Sequence, residues 1–150
     1  SLEDKQQKMF EGKLGEKLFK QFLITHNIDF KEDRSPHDEP DEYDFIVNGH
    51  ILVDVKTRTK KFHTRTLEMV KQFKKKPKDI YISVTLNDQP ENVWFPERAT
   101  YSGFVVGWAK GQDLLDINRI ENNGYLDNYV LYDKELRSVE SLIKYLHDTV

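Results

Sequence analysis

Hydrophobic and polar positions alternate most clearly between residues 43 and 55. Two apolar runs, residues 43–47 and 51–55, flank Asn48-Gly49, a pair that strongly favours a tight hairpin turn. Successive strand side chains point to opposite faces, so Asp54 and Lys56 share one face while Val53 and Val55 share the other. A two-residue turn would pair Val47 with His50 and put the apolar faces out of step. A three-residue loop, Asn48-Gly49-His50, pairs Val47 with Ile51 and gathers Phe45, Val47, Ile51, Val53 and Val55 on one buried face. That register is the expected one. It sets Asp44 opposite Asp54, about 5 Å apart at Cβ. Facing like charges destabilise a sheet, so the hairpin calls for a cation and reads as half of a metal site.

The same reading extends along the chain. Residues 5–26 form a helix, with Phe10, Leu14, Leu18 and Phe22 recurring every fourth position and Phe19 and Leu23 widening the stripe. Gly12 and Gly15 each cost this helix roughly 1 kcal/mol against alanine, tolerable where its backbone comes close to another element. Residues 28–32 read as a short strand and 33–42 as an acidic loop containing Pro36 and Pro40. Beyond the hairpin, residues 58–66 are a polar loop and 67–75 a short helix closed by Pro77. Residues 80–86 are a strand, 87–96 a loop, 101–109 a strand, and 113–117 a helical turn. A turn at 122–124 and a short strand at 129–132 lead to a closing helix, 133–147, with Leu136, Val139, Leu142, Ile143 and Leu146 on one face. The order α-β-β-β-α-β-β-α, with an antiparallel hairpin inside it, predicts an α/β (α+β) fold. Its core is a mixed β-sheet of about five strands flanked by helices, in a single domain over residues 1–150.

Composition narrows the chemistry. A 37% hydrophobic content over 150 residues is enough for one real core. A net charge of −3 means that any nucleic-acid surface must be local. The absence of cysteine excludes disulfides, thiolate metal sites and cysteine nucleophiles, and suits a cytoplasmic protein. No apolar run reaches membrane-spanning length, and no signal-peptide pattern opens the chain. Residues 56–78 hold ten of the 23 Lys and Arg against one acid, Glu68, for a local charge of +9. A charge run is often only a solvated face. Directly after a candidate active site, however, Arg58, Lys60, Lys61, Arg65, Lys71, Lys74 and Lys75 become a candidate phosphate-tracking surface. The five histidines lack metal-ligand spacing, and only His63 lies in the basic stretch. The aromatic residues Trp94, Phe95, Tyr101, Phe104 and Trp108 are expected in core or dimer packing rather than in base stacking.

An aspartate opposite an aspartate, with a lysine two residues further along the same face, suits phosphodiester hydrolysis. Hard carboxylate oxygens favour Mg²⁺ or Mn²⁺, and such an ion lowers the pKa of water and offsets charge on the phosphate. Lys56 would polarise the attacking water or neutralise developing charge, and the Val55 carbonyl would be a further ligand.

Asp44, nine intervening residues, then Asp54-Val55-Lys56-Thr57, all preceded by a Gly15-Glu16 helix, resembles the PD-(D/E)xK nuclease superfamily and its restriction-endonuclease-like fold. The resemblance covers residues 12–86. It implies that Asp44 and Asp54 ligate the metal, that Glu16 joins them, that Lys56 is the catalytic lysine and that Gln72 supplies a polar group from the following helix. Two features depart from the pattern. Tyr43 rather than proline precedes Asp44, and the literal Pro40-Asp41 pair lies three residues upstream; Asp44 is preferred because it falls within the strand, opposite Asp54. The helix ligand stays open between Glu16 and Glu11: Glu11 falls inside the apolar arc, whereas the Gly15-Glu16 pairing favours Glu16. The implied function is a Mg²⁺- or Mn²⁺-dependent endonuclease acting on DNA, with RNA and a homodimer left open and no membrane partner. The alternative is a non-catalytic nucleic-acid-binding or assembly subunit that retains the fold.

Overall fold

The computed structural model describes residues 2–33, 44–59, 63–87 and 102–150. The loop 34–43 with its Pro40-Asp41 pair, Lys60 and Lys61, and the aromatic residues Trp94, Phe95 and Tyr101 lie outside the described residues. The elements are α1 (Leu2–Thr25), β1 (Phe30–Glu32), β2 (Phe45–Val47), β3 (Ile51–Arg58), β4 (Arg65–Met69), α2 (Val70–Lys75), β5 (Ile80–Leu86) and β6 (Gly103–Lys110). They are followed by α3 (Gly111–Ile117), β7 (Ile120–Asn122), β8 (Asp127–Tyr132), a 3-10 turn at Asp133–Glu135 and α4 (Val139–Asp148).

A five-stranded mixed sheet, ordered β1-β2-β3-β5-β6, forms the centre. Strand β3 runs antiparallel to β2 and parallel to β5. The near-continuous apolar run of β5 is buried on both faces, as a strand covered from two sides requires. On one face, Phe45, Val47, Ile51, Val53 and Val55 pack with Phe19 and Leu23 of α1 and Leu142 and Leu146 of α4. On the other, Tyr81 and Ala109 pack with Phe73 of α2, Leu114 of α3, and Tyr129 and Leu131 of β8.

The hairpin adopts the anticipated register from Val47–Ile51 to Phe45–Val53, but the ladder ends there: Asp44, expected within the strand and opposite Asp54, lies just outside β2 and gives its N–H to Val53 O instead. Asn48 and Gly49 both take the left-handed conformation, at φ 53° and 79°, and the His50 N–H closes the turn on the Val47 carbonyl at 3.1 Å. His50 is thus an extra residue between a tight Asn-Gly turn and the ladder. It is the insertion that keeps the apolar faces in step.

Three expectations are corrected. Residues 65–69 are a strand rather than loop and helix, and β4 joins β8 and β7 in a second, three-stranded antiparallel sheet. Four strands therefore precede α2, not three. The closing helix starts later than expected, because Arg137 bridges to Trp108 on β6 and the Ser138 Oγ caps α4 by accepting the Ser141 N–H at 3.2 Å. Along α1 the buried line is Gly15, Phe19 and Leu23, with Leu14, Leu18 and Phe22 at its flank and Phe10 exposed. Gly15 explains the rotation: a Cβ there would stand 1.9 Å from Thr57 Oγ1, so the helix rests directly on β3. Gly12 meets nothing within 4 Å and has no such role. Trp108 is core, with its indole N–H donated to Ser138 O and Ser141 Oγ, while Phe104 is exposed.

Candidate active site

The site forms where β2 begins. Phe45 and Val53 close the β2–β3 ladder, and Asp44 stands one step beyond it, its N–H donated to Val53 O at 2.9 Å. The Asp44 carboxylate turns back to the neighbouring strand and accepts the Val55 N–H at 2.6 Å. Val53 and Val55 belong to the core under α1, so Asp54 and Lys56 project from the opposite face of β3. Asp54 lies beside Tyr81 in the parallel ladder, on the side that faces the second sheet. Asp44 is reached from both sides.

From the α1 side comes Glu16, which hydrogen-bonds with Asp44 and lines with it a cavity of about 170 Å³. Lys13, Lys17 and Lys20 of α1 and Glu32 of β1 complete much of that wall. The contact of Gly15 with Thr57 is what carries the next residue, Glu16, to Asp44. Glu11 instead accepts a hydrogen bond from Gln7 at 3.1 Å on the exposed N-terminal half of the helix. Between the two glutamates left open by the sequence, it is Glu16 that the fold brings to the aspartates.

Burial pushes the Asp44 carboxyl up to about 10, reinforced by the hydrogen bond with Glu16 and by the charge of Asp54. Glu16 is paired with Lys13 at 3.3 Å and Asp54 with Lys56 at 2.8 Å, so the charge that an added cation would offset is chiefly that of Asp44. The donor set is entirely oxygen, the chemistry that suits Mg²⁺ or Mn²⁺, and the Val55 main chain already lies against Asp44. In kind, these donors match such an ion. Their placement does not yet form a site: among the described residues no group of three or more His, Cys, Asp or Glu side chains is positioned to hold a metal ion.

Beside Asp54 stands a cation of the chain itself. Lys56 Nζ lies 2.8 Å from Asp54 Oδ2 and 2.7 Å from Glu68 Oε1, and 6.0 Å from the centre of the Tyr81 ring. Burial alone would lower the Lys56 ammonium, but Asp54 and Glu68 outweigh it and hold the group above its ordinary range. Lys56 is therefore a fixed donor and positive charge, not a base.

Glu68 is the partner of Lys56 that sequence reasoning missed. It lies on β4, 4% exposed, in the middle of the basic segment. Its signal was available: one acid among ten cations.

The basic segment is not one surface. Arg58 is 10% exposed and engaged by Asp133 at 2.8 Å and by Thr85 at 3.0 Å, so its guanidinium ties the two sheets together and is withdrawn from the phosphate-binding set. Arg65 pairs with Glu121 across the second sheet at 2.7 Å. Lys71, Gln72, Lys74 and Lys75 are exposed on α2, whose buried residue is Phe73. Gln72, the expected polar contributor, lies on the exposed side of α2. Lys60 and Lys61 lie outside the described residues. Among the described residues no helix is long and apolar enough to cross a membrane. No protein-family model matches the chain, and searches of curated proteins and of solved structures return no match either.

Proposed function

We propose that the chain is a divalent-metal-dependent nuclease of the PD-(D/E)xK type that hydrolyses DNA phosphodiester bonds, an endonuclease with the restriction-endonuclease-like core. One observation carries the reading: at the start of β2 Asp44 interacts with both Glu16 and Asp54, and Lys56 stands against Asp54. Asp44 and Asp54, with Glu16 and the Val55 carbonyl, would hold Mg²⁺ or Mn²⁺. When bound, such an ion supplies Lewis acidity toward a phosphoryl oxygen and lowers the pKa of water.

The residues of the chain do the rest. Asp44 and Glu16 fix the acidic wall, while the Asp44–Val55 hydrogen bond keeps that carboxylate in the plane of the sheet. Lys56, protonated and anchored, donates to the attacking water or to the oxygen on which negative charge grows. Lys71, Lys74 and Lys75 are the described cations with which the DNA backbone would be followed away from the site.

Cleavage of linear, nicked, branched and single-stranded DNA with Mg²⁺ or Mn²⁺ tests the reading. Asp54→Ala and Lys56→Ala should each lower the rate at least about a hundredfold. Cleavage that persists in either variant rejects the assigned site.

A non-catalytic nucleic-acid-binding or assembly subunit is the second reading, and it has its own support. Lys56 already neutralises Asp54 at 2.8 Å, an arrangement that stands without a metal. Calorimetric Mn²⁺ titration separates the two readings. Binding that disappears in Asp44→Asn favours the nuclease, and no binding favours the subunit.

A further inference from the structure

We propose that Glu68 is a positioning residue of this site: from the second sheet it holds the Lys56 ammonium in place over the carboxylates, which makes β4 part of the catalytic apparatus. The catalytic consequence rests on the nuclease reading above; the positioning itself does not.

The geometry is a two-point clamp. Lysine carries its charge on a flexible four-carbon stem. Here that charge is gripped by Asp54 from its own strand at 2.8 Å and by Glu68 from the facing sheet at 2.7 Å. Glu68 has no route to a substrate. The space it shares with Lys56, Thr66, Tyr81, Tyr129 and Leu131 amounts to about 10 Å³, no more than one water. It acts through Lys56.

Burying a carboxylate this deeply is costly without a cation beside it, and Glu68 Oε2 is enclosed with no hydrogen-bond partner. An apolar residue would pack the same place at lower cost, so the pairing serves the lysine more than the core. The clamp also has a division of labour. Were Asp54 to hold a metal ion, it would have less to offer Lys56, and Glu68 would remain the counter-charge that keeps the ammonium from swinging out.

The test uses Glu68→Gln, which keeps size and an acceptor oxygen and removes the charge. Reductive methylation with formaldehyde, read at Lys56 by mass spectrometry, reports the clamp without any need for catalysis. Lys56 should be protected in the parent and modified at least about fivefold faster in Glu68→Gln. Equal rates overturn the positioning. In Mn²⁺-supported DNA cleavage, kcat should fall at least about tenfold with KM and Mn²⁺ affinity little changed. An unchanged kcat in a protein whose Lys56→Ala variant is inactive overturns the catalytic role. A parent that cuts no DNA defeats the nuclease reading, and the methylation arm still decides the clamp. Should Glu68→Gln fail to fold, Glu68→Asp, which withdraws the charge by one methylene, is held to the same outcomes.

Discussion

Two neighbouring regions of the molecule treat charge in opposite ways. Toward the second sheet charges meet their opposites: Lys56 pairs with Glu68, and Arg58 with Asp133. The bidentate Arg119–Glu135 and Arg137–Asp113 pairs continue the pattern nearer the surface. At the start of β2, by contrast, Asp44 is set between Glu16 and Asp54, whose own cations are Lys13 and Lys56, and burial with like charge drives Asp44 upward. Matched pairs orient strands and sheets. A mismatched cluster weakens the fold that carries it, and is retained where something else arrives to complete it. The difference separates scaffold from site more sharply than any single residue does.

The largest effect on the mismatched side should come from its assembly. Gly15→Ala places a Cβ 1.9 Å from Thr57 Oγ1, so α1 must lift from β3. A loss of about 1–3 kcal/mol in chemical denaturation is expected, with weaker Mn²⁺ binding because Glu16 moves with the helix. Gly12→Ala is the control. With nothing within 4 Å, it should gain up to about 1 kcal/mol. If the two variants behave alike, the close approach of α1 is not what builds the cluster.

Gly15 also marks how far the sequence can be read. A glycine inside an amphipathic helix announces a close approach, but not the partner, which is 42 positions away at Thr57. The hairpin was legible because its information is local: an Asn-Gly turn, alternating apolar residues and one register that aligns them. Strand β4 was not, because its pattern is inverted. Leu67 and Met69 are each 37% exposed while Thr66 and Glu68 face inward, where Thr66 meets Ser83 and Glu68 meets Lys56. Apolar alternation points to a core, and this strand faces polar partners that are assembled only when the two sheets meet. The same long-range pairing withdraws Arg58 from the basic run, since Asp133 lies 75 positions downstream.

A smaller effect follows from the titration of Asp44. Its folded-state value lies above the ordinary 3.8, at about 10, so stability is full below pH 3.8 and declines as pH rises toward 10. Asp44→Asn removes the penalty while keeping an acceptor for the Val55 N–H. Without divalent cations it should be more stable than the parent by about 1–2 kcal/mol near pH 8, with the gap closing in acid. Added Mn²⁺ should stabilise the parent alone. A variant less stable than the parent at pH 8 would mean that Asp44 is ordinary scaffold.

The smallest effect belongs to the matched side and carries the opposite sign. The hydrogen bond from Arg137 holds the Asp113 carboxyl below its ordinary 3.8, against a partial burial that would raise it. Stability from this pair is present above pH 3.8 and is lost as pH falls through the lower folded value. Asp113→Asn should therefore cost about 0.5–1 kcal/mol at neutral pH, discounted because the Arg137 side chain is largely open to solvent, and almost nothing at pH 2. Mn²⁺ affinity should not change. The two pH profiles, one variant gaining as pH rises and the other losing, place each carboxylate on its side of the comparison. If Asp113→Asn instead gained stability at neutral pH, pairing would not be what distinguishes the scaffold from the site.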